Sequence, residues 1–125
     1  MIDQFGKVMI YVEDPLRVAD FWVQRLGFTE VDRQDLDGTP LSVEVTHAAG
    51  SGAALVLFDR AVVAEISPEL ALATPSILFG SHTLIEMRDQ LMASGVEVGA
   101  LVEHGGQTTF NFSDPEGNWF AVAQL

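Results

Sequence analysis

The spacing of apolar residues changes period repeatedly along this chain, and each change predicts an element. "KVMIYV" (7–12) is short, β-branched and aromatic, which predicts a strand. Asp14 and Pro15 then suit a helix N-cap and first helical position. From Leu16 to Leu26, apolar Val18, Ala19, Phe21, Trp22, Val23 and Leu26 recur at helical spacing, and Gly27 suits the residue just past the helix. "FTEVDRQ" (28–34) predicts a short strand and "DGTP" (37–40) a turn. "LSVEVTH" (41–47) alternates like a half-buried strand, "AAGSG" (48–52) reads as a hairpin loop and "AALVLF" (53–58) as a buried strand.

The same order restarts at residue 76. "SILFGS" predicts a strand, and Thr83 with Glu86 forms a capping-box pattern. Leu84, Ile85, Met87, Leu91 and Met92 give a helical apolar face closed by Gly95. Strands are expected at 96–104, at "TTFNF" (108–112) and at "WFAVAQL" (119–125), the last set up by the turn "DPEGN" (114–118). Val8–Gly27 matches Ile77–Gly95 with one residue less, which is an internal repeat. The repeat predicts one α+β domain of two βαβββ modules, about 1–60 and 76–125, with a linker at 61–75. Neither module can easily cover both faces of its sheet. A curved, partly closed mixed sheet is expected, with helices outside and a concave face left for a ligand.

Composition narrows the function. The chain has no cysteine, so disulfides, thiolate catalysis and cysteine-held metals are excluded. No apolar run is long enough for a membrane span, and Met1-Ile2-Asp3-Gln4 does not resemble a signal peptide, so a cytoplasmic protein is expected. Eighteen acidic against six basic residues give a net charge of −12, which disfavours nucleic acid and suits a cationic or amphipathic ligand. No Ser-His-Asp arrangement, phosphate loop or paired-carboxylate motif is present, and Gly50-Ser51-Gly52 and Gly105-Gly106 read as hairpin turns. His47, His82 and His104 lack the close spacing of a helical metal site.

"VMIYVEDPLRVADFWVQRLGF" and "FNFSDPEGNWFAVAQ" resemble the two ends of a vicinal-oxygen-chelate protein, the superfamily of glyoxalases, extradiol dioxygenases and bleomycin-resistance proteins. The resemblance covers nearly the whole chain. It implies paired βαβββ modules, a homodimer, and a ligand cavity within the curved sheet. In the family's enzymes it also implies a divalent metal held by four His, Glu or Gln side chains on four strands, with open positions for substrate oxygen. Carried over residue by residue, those positions fall at Lys7, near Leu57, at Ser76 and at Ala121. These do not form a divalent-metal site, and neighbouring Val8, Val56, Phe58, Pro75, Ile77, Phe120 and Val122 do not supply one. The expectation is therefore a binding protein without metal or cofactor, resembling the bleomycin-resistance branch.

Other candidate ligand-binding residues follow from alternation. Lys7, Met9 and Tyr11 share one strand face. Glu44 can pair with Lys7 or with a cationic ligand. Asn111 lies between Phe110 and Phe112; if the rings face the helix, its amide faces the cavity and can both donate and accept. Trp119 alternates with Ala121 and Ala123, offering a stacking surface beside empty space, though core packing is the favoured use for such a ring. Two alternatives stay open. One is a lyase or oxidoreductase with relocated metal ligands or metal-free proton transfer by Lys7, Tyr11, Glu44 or Asn111. The other is a closed cavity in a protein that acts through a partner chain.

Overall fold

A computed structural model describes residues 1–48 and 52–125. The hairpin expected over 48–52, with its Gly50-Ser51-Gly52 turn, lies largely outside the described residues. The chain forms two compact units, Met1–Thr74 and Pro75–Leu125. Among the described residues no helix is long and apolar enough to cross a membrane.

The first unit runs β1 (Lys7–Val12), α1 (Pro15–Leu26), β2 (Thr29–Leu36), β3 (Thr39–Thr46), β4 (Ala54–Asp59) and α2 (Arg60–Ile66). Its sheet has the order β1-β4-β3-β2, with β1 parallel to β4 and the other pairs antiparallel. Asp14 caps α1 by accepting from Arg17 N, and Pro15 opens the helix as expected. The helix buries Val18, Ala19, Phe21 and Trp22. The sheet contributes Ile10, Val12, Val43, Val45, Leu55 and Leu57 to the same core. Trp22 meets Phe28 edge-on at 5.0 Å between ring centres. Edge strand β2 is exposed throughout and carries register shifts between Glu30 and Asp32 and between Gln34 and Asp35. Its charges and irregular register are what a solvent-facing edge needs to resist pairing with another chain. Asp37-Gly38, both at positive φ, join β2 to β3 in a two-residue hairpin.

Helix α2 occupies part of the stretch expected to be linker. Asp59 caps it by accepting from Val62 N, and Arg60 Nη2 donates to Tyr11 O at 2.9 Å, which ties the helix to β1.

The second unit repeats the plan: β5 (Leu78–Ser81), α3 (Leu84–Ala93), β6 (Val102–His104), β7 (Gln107–Ser113) and β8 (Trp119–Gln124), in the order β5-β8-β7-β6. Phe110, Phe112, Phe120 and Val122 are buried on one face, and Phe112 and Phe120 lie 5.7 Å apart. Each repeat thus builds an open four-stranded mixed sheet, and neither closes into a barrel.

Three expectations change here. Thr83 precedes α3, but its side chain makes no capping bond. The Gln124 amide takes that place, accepting from Leu84 N and donating to His82 O. The strand expected across 96–104 shrinks to Val102–His104, preceded by one bridge between Val98 and Phe112. Gly99 still takes part in that bridge, donating to Asn111 O, and the break falls at residues 100–101. Finally, Ile85 and Met92 of the expected α3 core face are exposed, leaving Leu84 and Leu91 buried.

Candidate functional site

Strand alternation decides what each sheet can offer a ligand. In the first unit Lys7, Met9 and Tyr11 pair with Ala54, Val56 and Phe58, and Val56 and Phe58 pair with Glu44 and Ser42. These side chains share the face opposite the α1 core. Leu57 pairs with Ile10 and Val43 and is fully buried with them. The structure therefore moves Leu57 from the candidate ligand face to the core. Val56 holds the corresponding place on the candidate face, because shifting by one residue reverses the side of a strand.

A hollow of about 330 Å³ lies on this unit, lined by Gln4, Lys7, Val31, Glu44, Thr46 and residues 52–54. Lys7 Nζ donates to Glu44 Oε1 at 2.7 Å; the lysine side chain is half exposed and the glutamate largely covered. The hydrogen bond and negative charge of Glu44, with a smaller contribution from Asp32, raise the Lys7 pKa above its ordinary value against a modest opposing effect of burial. Lys7 is thus held as a cation and is poorly suited to act as a free amine base or nucleophile. Met9 and Tyr11 share the strand face without being among the residues that line the hollow. Thr46 could have been anticipated from its i+2 relation to Glu44. Gln4 and Val31 could not: one precedes the first strand and the other sits at the β2 register shift.

In the second unit Asn111 pairs with Ala121, and Ser113 with Trp119. Phe110, Phe112, Phe120 and Val122 occupy the other face and are buried. Ser76, Asn111, Trp119 and Ala121 come together around a hollow of about 200 Å³, joined by Ile77 and Phe120. Trp119 is 45% exposed, whereas Phe120 beside it is 2% exposed. Gly99 N donates to Asn111 O, so β7's backbone is tied down under the amide.

The turn that launches β8 is organised by Asp114. Its buried carboxylate accepts from Glu116 N, Asn118 N and Asn118 Nδ2 at 2.8 to 2.9 Å. Gly117, at φ 80°, supplies the left-handed conformation that lets the chain reverse. Trp119 thereby enters the sheet opposite Ser113 with its side chain on the Asn111 face.

The donor chemistry does not fit the divalent metal implied for the family's enzymes. Lys7 is committed to Glu44, Leu57 and Val56 have no donor atom, Ser76 offers only a neutral hydroxyl, and Ala121 offers a methyl. Among the described residues no three His, Cys, Asp or Glu side chains form a group that could hold a metal ion. His47 lies edge-on to Phe28, with ring centres 6.3 Å apart. His82 accepts through its backbone carbonyl, and His104 pairs with Gln107 in the β6–β7 hairpin.

The family model for the Glyoxalase/Bleomycin resistance protein/Dioxygenase superfamily matches residues 4–122. Among curated proteins, the uncharacterized protein YetH of Bacillus subtilis (strain 168) is 26% identical over 125 residues, covering 99% of this chain and all of YetH. The crystal structure of TnmS3, an antibiotic binding protein from Streptomyces sp. CB03234, is similar with a TM-score of 0.78 and 22% identity, covering 98% of this chain and 96% of that one. A lactoylglutathione lyase from Agrobacterium tumefaciens is similar with a TM-score of 0.77 and 17% identity, covering 99% and 95%. At these identities the two structures show a shared fold, found in a binder and in an enzyme alike.

Proposed function

Because this chain belongs to the Glyoxalase/Bleomycin resistance protein/Dioxygenase superfamily, we propose that it is a metal-independent small-molecule-binding protein. It would use the sheet faces that its helices leave uncovered. The observation that carries this reading is the donor set. The positions where the family resemblance puts metal ligands hold an ion-paired lysine, an alkyl side chain, a serine and an alanine. What replaces the metal chemistry is binding chemistry: an ammonium–carboxylate pair in one hollow, and an exposed indole beside an amide in the other. The likeness to an antibiotic-binding protein agrees with this reading, and the likeness to a lyase shows that fold alone does not demand it.

Two measurements test the proposal. Protein purified without chelators is analysed for bound elements; the reading expects well under one divalent metal per chain, and close to one per chain overturns it. The same protein is screened by thermal shift against planar aromatic and amphipathic compounds, bleomycin among them. Saturable stabilisation by at least one compound is expected, because a ligand that binds only the folded chain raises its melting temperature. No stabilisation by any of them counts against a binding function.

A further inference from the structure

The two hollows differ in chemistry, and the difference selects a ligand class for one of them. The first is charged: Lys7 and Glu44 line it. The second has no titratable side chain among its lining residues Ser76, Ile77, Asn111, Trp119, Phe120 and Ala121. An overall charge of −12 therefore says little about what the second hollow holds.

Its two prominent groups are complementary. Trp119 leaves 45% of its surface exposed on a strand whose neighbouring Phe120 and Val122 are buried. An indole presented this way is a flat apolar face suited to offset stacking with another ring. The small side chain of Ala121 lies between Trp119 and the strand's interior and leaves room above it. Asn111, cross-strand from Ala121, carries an amide with two donor hydrogens and an acceptor oxygen. Among the described residues, no side chain or backbone group hydrogen-bonds that amide, and the residue is exposed. Its strand is fixed by buried Phe110 and Phe112 on either side, so the amide is held on this face. At about 200 Å³ the hollow is smaller than the ~300–1,000 Å³ of sites that enclose a whole drug-sized ligand. One small ring system suits it better.

We infer that the second unit's hollow takes a neutral, planar heteroaromatic ring bearing a hydrogen-bond donor and acceptor side by side on one edge, with Trp119 stacking on its face and Asn111 reading that edge. The inference rests on the binding reading above and specifies the ligand class of one of its sites.

The test uses the full chain and three probes. 2-Quinolone has the plane, the donor and the acceptor; 1-methyl-2-quinolone keeps the plane and loses the donor; ε-caprolactam keeps donor and acceptor and loses the plane. Titration calorimetry is expected to rank 2-quinolone tightest, with little dependence on salt because no charged group lines the hollow. Trp119→Leu is expected to weaken 2-quinolone roughly tenfold, the scale of a lost aromatic pair, and Trp119→Phe is expected to fall between. Asn111→Leu is expected to abolish the preference for 2-quinolone over its methylated form. Melting temperatures of all three variants check that the fold is intact. The inference is overturned if caprolactam binds as well as 2-quinolone, or if the Trp119 and Asn111 variants bind 2-quinolone unchanged. It is also overturned, with the binding reading left standing, if 2-quinolone does not bind while other compounds from the thermal-shift screen do. Failure of every compound removes both.

Discussion

Removing the Asp114 carboxylate should cost more stability than any other single change in the β7–β8 turn. Asp114 is 4% exposed and accepts three hydrogen bonds of 2.8 to 2.9 Å, two of them from backbone N–H groups. A hydrogen bond to a charged group contributes ~1.5–3 kcal/mol net, but bonds to one carboxylate are not additive. Glu116 and Asn118 are only partly buried, so water can rehydrate some of the donors that Asp114→Ala would strand. Together these set the expected loss at about 3 kcal/mol. With a urea slope of ~1.5 kcal/mol/M, the midpoint should fall by about 2 M with the slope unchanged. Asp114→Asn keeps the shape and one acceptor oxygen, and Asn118 can rotate its amide to meet the new NH2 group, so roughly half that loss is expected. Urea melts followed by far-ultraviolet circular dichroism measure both. A loss within ~0.5 kcal/mol for Asp114→Ala, the range of an ordinary surface change, would refute the claim that this carboxylate organises the turn.

Two further outcomes test the placement of side chains in the first unit. Leu57→Ala should cost ~2–5 kcal/mol as a fully buried core truncation and leave ligand affinity unchanged; retained stability with lost binding would put Leu57 back on the ligand face. Lys7 is the chain's only lysine, so a selectively labelled sample gives one side-chain NMR signal. That signal should titrate above the ordinary lysine value of ~10.4, and Glu44→Gln should bring it down. Since the folded pKa is the higher one, the stabilisation from Lys7 is complete below its unfolded pKa and is lost as pH rises through the folded value. No response to Glu44→Gln would contradict the ion pair.

Much of the architecture was legible because it is written in local periodicity. The repeat, both principal helices, the Asp14 cap and the opposite facing of Asn111 and its flanking phenylalanines all follow from spacing and turn chemistry. Alternation singled out Asn111 and Trp119, while Ser76 and Ala121 came from the family resemblance; the four line one hollow. What escaped depended on longer range. Choosing Leu57 over Val56 is a one-residue register question that only pairing with β1 and β3 decides. The Thr83–Glu86 pattern looked like a cap, but Gln124, forty residues beyond Leu84, caps the helix instead. Helix α2 was hidden because Asp59, its cap, also ends a strand. Val31 reached the first hollow through an edge irregularity that has no sequence signature.

The division of each strand into alternate faces has an evolutionary consequence. Along β7 and β8 the letters that build the core, Phe110, Phe112, Phe120 and Val122, interleave with the letters on the opposite face beside the hollow, Asn111, Trp119 and Ala121. The two sets can drift at separate rates, since exchanging an exposed side chain leaves the packing beneath it largely intact. Descent would then be recorded in one set and chemistry in the other. An overall identity score averages them and can report shared ancestry while remaining blind to a change of trade.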